Sequence, residues 1–317
     1  MSTSAAIDVR SLSHSYGARI ALRELTLEVA QGEIFAVVGP NGGGKTTLFR
    51  VLSTLIRPQS GHAQVLGFDL ARQPHEVRRH IGVVFQAPSL DKKLTVAENI
   101  RYQAALYGLT GSALRIRQDA LLAQLGLTDR ARERAETLSG GLRRRVELAK
   151  GMIHQPRLLL LDEPSTGLDP AARSDLWIYL RRLRDEMGVT VMLTTHLLEE
   201  ADKSDRIAIL NEGSLVALGT PDDLRSSVGG DSITIDTESP RELADTIARQ
   251  FDVTASVVDG QVRLERPDAH MWVARLVEAF PGQIASITLG KPTLEDVFID
   301  KTGHRFWTSR HEEATVD

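Results

Sequence analysis

The sequence predicts an α/β protein built on a mainly parallel sheet, followed by a second, smaller α+β domain. Three short apolar runs predict the sheet: Glu33–Val38, Arg157–Asp162 and Val189–Thr194. Strands buried on both faces of a parallel sheet read as continuous apolar runs, and helix-like segments alternate with these three. Residues 232–300 predict the second domain, because their segments follow in the order β-α-β-β-α-β of the ferredoxin-like pattern.

The first domain begins with a segment that alternates apolar and polar residues, Ile7–Val29, which predicts antiparallel strands at an edge of the sheet. The strand Glu33–Val38 leads through a glycine-rich loop into a predicted helix over Lys45–Leu55. Another apolar run, Ile81–Phe85, predicts a further buried strand. Residues 92–153 interrupt this alternation, and we expect a helical insertion between two strands of the sheet.

A Ser- and Gly-rich stretch separates the two domains. We place the first domain at residues 1–225, a linker at 226–231, the small domain at 232–300 and a polar, poorly ordered tail at 301–317. An Asp259–Gly260 turn predicts a hairpin inside the small domain. The predicted strands there are Ser232–Asp236, Val253–Val258, Gln261–Glu265 and Ile284–Leu289, and the predicted helices are Pro240–Phe251 and Pro267–Phe280.

Composition excludes several classes of function. The 317 residues include 38 Lys and Arg against 42 Asp and Glu, a net charge of −4, which argues against nucleic acid as a partner. The chain has no cysteine, which excludes disulfides, thiolate metal sites and cysteine nucleophiles. No apolar stretch approaches the ~18–20 residues of a membrane helix, and the first residues lack a secretory pattern. We therefore expect a cytosolic protein that reaches a membrane only through a partner chain.

The strongest motif lies between a predicted strand and a predicted helix and matches the phosphate loop G-x-x-x-x-G-K-[ST]. Its glycines let backbone N–H groups surround phosphate oxygens, and the following helix presents its positive end to the same anion. Lys45 is expected at the β- and γ-phosphates, and the Thr46 hydroxyl is a hard oxygen ligand for Mg²⁺. The matching register disfavours an ordinary glycine turn. The motif consists of Gly39, Pro40, Asn41, Gly42, Gly43, Gly44, Lys45, Thr46 and Thr47.

Two acidic residues close the apolar run Leu158–Leu161. Asp162 ends the predicted strand, so we expect its carboxylate at the sheet edge that carries the phosphate loop, holding Mg²⁺ directly or through water. Glu163 is placed to polarise the attacking water as general base. Two surface acids are the alternative interpretation, and the phosphate loop upstream favours the functional one.

A serine and two glycines open a predicted helix at Ser139, Gly140 and Gly141, and such a helix start is a second candidate anion-binding end. Taken alone, the motif is weak and a plain N-cap is the better interpretation, and the other two motifs favour the functional one.

Three single residues complete the candidate site. His196 follows the strand Val189–Thr194 and is a candidate sensor of the γ-phosphate, although a lone histidine is more often structural. Gln86 ends an apolar run and is a candidate for contacting the metal or the attacking water. Tyr16 is a candidate for stacking on a base, and an ordinary edge-strand tyrosine is the alternative.

Together these motifs resemble the nucleotide-binding subunit of ABC transporters across residues 5–225. One position departs from the pattern: Leu142 ends the signature where many members have glutamine. The resemblance assigns Gly39–Thr47 to Walker A, Gln86 to the Q-loop, Leu138–Leu142 to the ABC signature, Leu158–Asp162 with Glu163 to Walker B and the catalytic glutamate, Ser165–Asp169 to the D-loop and His196 to the H-loop.

This resemblance implies a P-loop ABC ATPase with ATP and Mg²⁺ as cofactors. It implies a head-to-tail homodimer, in which the phosphate loop of one copy faces Ser139–Gly141 of the other and Ser165 and Asp169 lie at the interface. It also implies a separate membrane permease and a location at the cytoplasmic face of the membrane. The main alternative is an ABC ATPase without a permease, acting in translation or DNA repair. A non-hydrolysing regulatory module is another, but the intact Lys45 and Glu163 argue against it.

The end of the chain carries a finer resemblance. The stretches LSGGLRRRVELAKG and TLGKPTLEDVFIDKTG are similar to the daunorubicin-resistance type of ABC-2 exporters, which carry a small C-terminal domain. That branch implies export of a drug, an antibiotic or another hydrophobic compound, whereas related branches export sodium, lipids or polysaccharides. For the small domain we favour a dimer contact over regulation or a purely structural role.

Overall fold

A computed structural model describes residues 5–228, 230–266, 268–304 and 306. The chain divides into two compact units, Met1–Leu215 and Val216–Asp317. The sequence places the boundary further along, near residue 225, whereas the structure assigns the short helix Pro221–Ser226 to the second unit. Within the described ranges, no helix combines the length and apolar character needed to cross a membrane.

The first unit is a layered assembly of strands and helices, and its last strand runs across the division between the units. Its strands are β1 (Ala5–Tyr16), β2 (Arg19–Ala30), β3 (Ile34–Val38), β4 (Ser60–Val65), β5 (Phe68–Asp69), β6 (Ile81–Val84), β7 (Leu158–Asp162), β8 (Thr190–Thr195), β9 (Arg206–Asn211) and β10 (Ser214–Gly219). Its helices are α1 (Lys45–Leu52), α2 (Pro74–His80), α3 (Val96–Ala105), α4 (Gly111–Gln124), α5 (Gly140–Met152), α6 (Pro170–Met187) and α7 (Leu198–Ala201).

The main sheet has the strand order β10-β9-β3-β8-β7-β6. Strands β9, β3, β8, β7 and β6 run parallel, and every residue of β3, β7 and β8 is buried. This confirms the predicted α/β class and the reading of the apolar runs as strands buried on both faces. Because the strands are parallel, Val38, Asp162 and Thr195 end at the same edge of the sheet, where the predicted site residues follow them.

The antiparallel strands form a sheet of their own, in the order β2-β1-β4-β5, rather than an added edge of the main sheet. β4 completes it by pairing Val65 with Ile7 of β1, and the sequence did not reveal this strand because its residues SGHAQV are mostly polar. The apolar face of α1 packs in one core cluster with residues of β1 and β3. The phosphate loop that precedes α1 is therefore supported by the core of the unit.

The predicted helical insertion is confirmed as α3, α4 and α5, joined by turns and short 3₁₀ segments. α3 begins with a capping box, in which the Thr95 side chain accepts from the Glu98 N–H and the Glu98 carboxylate accepts from the Thr95 N–H. α5 begins at Gly140 with Ser139 as its N-cap.

The second unit contains a four-stranded antiparallel sheet in the order β12-β13-β11-β14. Its core joins Ile233 and Ile235 with Ile247 and Leu276 of the two helices between the strands. The predicted ferredoxin-like order is thereby confirmed. The elements are α8 (Pro221–Ser226), β11 (Asp231–Asp236), α9 (Pro240–Phe251), β12 (Ser256–Val258), β13 (Gln261–Arg266), α10 (Ala269–Ala279), β14 (Ser286–Gly290) and α11 (Leu294–Thr302).

The final helix, α11, corrects the predicted polar tail. Its last residues, Lys301 and Thr302, fall in the range assigned to the tail, and Phe306 is only 2% exposed, with its ring edge-on to Phe298 at 4.9 Å. A capping box between Thr293 and Asp296 stabilises the start of this helix. The regular helix that follows can bury its apolar residues. The remainder of the predicted tail, 307–317, lies outside the described residues.

Candidate functional site

A cavity of about 630 Å³ opens at the carboxyl edge of the parallel sheet in the first unit. It collects residues from the loop before α1, from the ends of β6, β7 and β8, and from β1 and β2. Most of the residues predicted from the sequence meet here. The lining consists of Tyr16, Arg19, Ala21, Asn41, Gly42, Gly43, Gly44, Lys45, Thr46, Thr47, Arg50, Gln86, Glu163, Thr166 and His196.

The phosphate loop has a backbone that requires glycine at two positions. Gly42 has a φ of +83° and Gly44 a φ of +106°, both in the left-handed region. A Cβ at Gly44 would lie 2.7 Å from the carbonyl oxygen of Ala21, so a side chain there would also clash. With the loop held in this form, the N-terminal end of α1 is directed at the cavity, as an anion site requires.

Lys45 is the cation of this loop, and it is only 4% exposed. Its Nζ donates to the carbonyl oxygens of Gly39 at 2.7 Å and Pro40 at 3.1 Å, so these two residues hold the lysine at the base of the loop. Burial lowers the pKa of Lys45, and the nearby carboxylates of Glu163 and Asp162 oppose that shift. The hydrogen-bond partners of the ammonium are thus neutral carbonyls, and the carboxylates of Glu163 and Asp162 supply the opposing charge in its surroundings.

Asp162 ends β7, is 5% exposed and is not among the residues that line the cavity. Thr194 Oγ1 donates to its Oδ1 at 2.5 Å. Burial raises the pKa of Asp162, and this hydrogen bond opposes the shift. Asp162 and the Thr46 hydroxyl offer the hard oxygen ligands that Mg²⁺ prefers, whereas the described residues contain no ready cluster of three or more His, Asp or Glu. The donor set therefore fits a Mg²⁺ ion that is coordinated both by these side-chain oxygens and by the oxygens of bound phosphates.

Glu163 is the acceptor at which the two other catalytic candidates, Gln86 and His196, converge together with Thr166. Its Oε2 accepts from Gln86 Nε2 at 3.0 Å and from Thr166 Oγ1 at 3.2 Å, and it lies 3.2 Å from His196 Nδ1. The backbone of Glu163 has a φ of +43°, a strained value for a residue with a side chain. Its N–H bonds to the backbone oxygen of Thr194, which fixes this turn. The turn thus aims a carboxylate at the phosphate-loop cavity.

The aromatic candidate Tyr16 lines the cavity and is 44% exposed, with its ring edge-on to His14 at 4.9 Å. The Tyr16 side chain is therefore partly open to solvent at the cavity. Two arginines of the cavity were not predicted from the sequence: Arg19, which pairs with Tyr16 across the β1–β2 turn, and Arg50 on α1. Both add positive charge to the cavity.

The signature residues lie outside the cavity of their own chain. Ser139 and Gly140 are exposed, and Ser139 Oγ accepts from the Leu142 N–H at 3.3 Å. Ser139, Gly140 and Gly141 are absent from the cavity lining. The N-terminal end of α5 is therefore presented at the surface of the unit.

Both predicted D-loop residues are engaged within the chain. Ser165 is 4% exposed and donates to Glu200 Oε2 at 2.6 Å, and Asp169 caps α6 by accepting from the Ala172 N–H at 2.9 Å. Glu200, which the sequence analysis missed, also accepts from Thr195 Oγ1 at 3.1 Å. The available signal was an acidic residue one helical turn beyond His196. This buried carboxylate links the segments that follow β7 and β8.

Comparison with known proteins agrees with this geometry. The ABC transporter family matches residues 22–166, and the C-terminal domain of DrrA1-3-like ATP-binding proteins matches residues 219–302. The chain is 39% identical to the daunorubicin resistance ATP-binding protein DrrA2 of Streptomyces coeruleorubidus, over 98% of both chains. It is 33% identical to the linearmycin resistance ATP-binding protein LnrL of Bacillus subtilis, over 94% of this chain and 98% of the relative.

A solved structure supports the same assignment. The dimeric structure of MJ0796, a bacterial ABC transporter cassette, is 27% identical, superposes with a TM-score of 0.62 and covers 68% of this chain and 98% of that one. The fold and the phosphate-loop cavity thus define the ATP-binding cassette of an ABC transporter. More closely, the chain belongs to the family of DrrA-like ATP-binding proteins. It is an ATPase that powers an ABC-type exporter, associates with the membrane and acts with a permease, and the similar cassette MJ0796 is dimeric.

Proposed function

We propose that the cavity residues divide the work of ATP hydrolysis among themselves. Gly39–Thr47 bind the phosphates through backbone N–H groups, and Lys45 contacts the β- and γ-phosphates. Tyr16 stacks on the adenine ring. The observation that carries the proposal is the convergence of Gln86 and His196 on one oxygen of Glu163, at the mouth of the phosphate-loop cavity.

In the hydrolytic step, the oxygen of the attacking water bonds to the γ-phosphorus while Glu163 accepts a proton from that water. The bond between that phosphorus and the bridging oxygen breaks, and ADP leaves. Gln86 orients the water, and His196 donates a hydrogen bond to a γ-phosphate oxygen. Thr46, Asp162 and Gln86 would hold Mg²⁺, which when bound neutralises charge on the phosphates.

We further propose that two copies close head to tail over two ATP molecules. The exposed N-terminal end of α5, at Ser139–Gly141, supports this arrangement because it lies outside the cavity of its own chain. Across a dimer it would meet the γ-phosphate bound by the partner. Shifting a two-state closure from 1:99 to 99:1 needs about 5.5 kcal/mol, and several charge-assisted hydrogen bonds of about 1.5–3 kcal/mol each can supply it. Ser165 and Asp169, on the loop before α6, would then lie near the interface.

The decisive variant is Glu163→Gln, which keeps the hydrogen-bonding shape of the side chain and removes its basicity. We expect hydrolysis to fall at least 100-fold while ATP drives a stable dimer, measured by phosphate release and by size-exclusion chromatography with ATP and Mg²⁺. Turnover near the parent rate would reject Glu163 as the base. A monomer under all conditions would reject the closed dimer.

The transported compound is proposed from the relatives alone. Their names indicate resistance to daunorubicin and to linearmycin, which favours a drug or antibiotic over sodium, lipid or polysaccharide. We propose that the protein works at the cytoplasmic face of the membrane. Affinity purification from detergent-solubilised membranes should recover a permease, and recovery of ribosomes or DNA instead would indicate an ABC ATPase without transport. Loss of resistance to such compounds in cells carrying Glu163→Gln would support the substrate class.

A further inference from the structure

Arg144, in the second turn of α5, makes a set of hydrogen bonds that have no part in phosphate binding by the loop. It is 7% exposed, and its guanidinium donates in four directions. The acceptors are the carbonyl oxygens of Phe85 at 2.7 Å, Pro164 at 2.8 Å and Asp162 at 3.3 Å, and Glu147 Oε2 at 2.9 Å. A planar guanidinium with five donors suits such a divergent set better than an ammonium does.

The three carbonyl groups adjoin the catalytic candidates along the chain. Phe85 immediately precedes Gln86, and Asp162 and Pro164 lie on either side of Glu163. One side chain therefore fixes the backbone beside both residues whose side chains meet at 3.0 Å in the cavity.

Glu147 extends the same contact to the segment after Gln86. While its Oε2 pairs with Arg144, its Oε1 accepts from the Ser89 N–H at 2.7 Å. Lys150, one turn further along α5, donates to the Ser89 carbonyl oxygen at 2.7 Å. One face of α5 thus holds the chain on both sides of Gln86.

A buried ion pair is a costly way to add stability, because two charges must leave water. Burial lowers the pKa of Arg144, and the hydrogen bond and charge of Glu147 oppose this shift. An ion pair whose only role was packing would need no hydrogen bonds beyond those between its two members. Here, all the remaining contacts of the guanidinium go to the backbone beside Gln86 and Glu163.

We propose that Arg144 and Glu147 form a positioning pair for hydrolysis, which sets the geometry between Gln86 and Glu163 and links it to the helix that carries Ser139 at its start. This inference rests on the proposed role of Glu163 as the base. The pair does not contact the phosphate loop in the described residues, so ATP binding and hydrolysis respond differently when it is altered.

The test compares Arg144→Lys and Glu147→Gln with the parent in the full-length chain, by kcat and KM for ATP and by Tm. We expect kcat to fall at least tenfold in each, with KM within threefold of the parent and assays run well below each Tm. The double variant should lose little more than either single one, because the two residues act as a unit. Guanidinium ion at millimolar concentration should partly restore kcat in Arg144→Ala and leave the parent unchanged.

A matched control is Arg184→Lys, because Arg184 also makes a forked ion-pair contact, with Asp185 and Asp205. It lies away from the cavity lining, and its kcat should equal that of the parent. The inference is overturned if kcat is parent-like in both Arg144→Lys and Glu147→Gln. It is also overturned if KM changes by as large a factor as kcat. If Arg144→Lys does not fold, Glu147→Gln decides alone. Failure of Glu163 as the base would instead appear as parent-like turnover in Glu163→Gln, whatever the pair does.

Discussion

Both ends of the parallel sheet carry charged side chains, but the partners of these charged groups differ between the two ends. At the amino edge, opposite charges neutralise each other: Arg184 pairs with Asp205 at 2.5 Å, and Arg206 pairs with Glu33 at 3.1 Å. These carboxylates also accept backbone N–H groups, as Asp205 does from Ile34 at 2.7 Å. The pairs therefore tie the strand starts together without needing a ligand.

At the carboxyl edge, the partners of the charged groups are mostly neutral. Lys45 donates to two carbonyl oxygens, Asp162 accepts from a threonine hydroxyl, and Glu163 accepts from an amide and a hydroxyl. Neutral partners hold each charge in position without an ion pair, and Lys45, Asp162 and Glu163 oppose one another's charges in the same site. Ion pairs at the amino edge and neutral partners at the carboxyl edge therefore distinguish the structural edge of the sheet from its substrate-binding edge.

The largest expected effect comes from Lys45→Met. ATP hydrolysis should fall at least 100-fold, because the cation at the β- and γ-phosphates is lost. Since burial lowers the pKa of Lys45, the folded chain holds this ammonium at a free-energy cost, and Tm without nucleotide should stay level or rise. Phosphate release and calorimetry measure the two quantities. A marked drop in Tm would make Lys45 a structural cation and break the comparison.

The opposite pattern is expected for Asp205→Ala at the amino edge. The Ile34 N–H loses its acceptor and Arg184 loses one of its two partners, so the free energy of unfolding should fall by about 1–3 kcal/mol. Turnover of ATP should stay within twofold of the parent. Urea unfolding and steady-state kinetics provide the test, and a tenfold loss of turnover at unchanged stability would contradict it.

The sequence predicted those parts of the site that are local in the chain. The loop Gly39–Thr47 and the pair Asp162 and Glu163 are each contiguous, and each follows a buried strand. Their chemistry could therefore be read before any contact was known. The position of Ser139–Gly141, outside the cavity, followed from the resemblance and not from local pattern.

Residues that act through distant partners escaped the sequence analysis. Arg144 bonds to Phe85 across 59 positions of the chain, and Ser165 bonds to Glu200 across 35. The pairing of β1 with β4 was missed because the residues of β4 are mostly polar. The helix α11 differs from these cases, because its start is marked locally by Thr293 and Asp296, which form a capping box.

A final prediction sharpens the comparison through pH. Burial raises the pKa of Asp162 above its usual 3.8, so between those two pKa values the folded chain binds more protons than the unfolded chain. The contribution of Asp162 to the free energy of unfolding must then decline as pH rises through this window. Asp162→Asn should remove that decline, measured by urea unfolding at a series of pH values without nucleotide or metal.

Asp69 provides a control of opposite sign, because hydrogen bonds from the Arg72 and Ala71 N–H groups lower its pKa below 3.8. The stability that Asp69 contributes is present above its usual pKa and is lost as pH falls through the folded value. Asp69→Asn should therefore flatten a rise of stability with pH, whereas Asp162→Asn flattens a decline. If both substitutions change the pH dependence in the same direction, the pKa of Asp162 is not raised in the folded chain and this prediction is wrong.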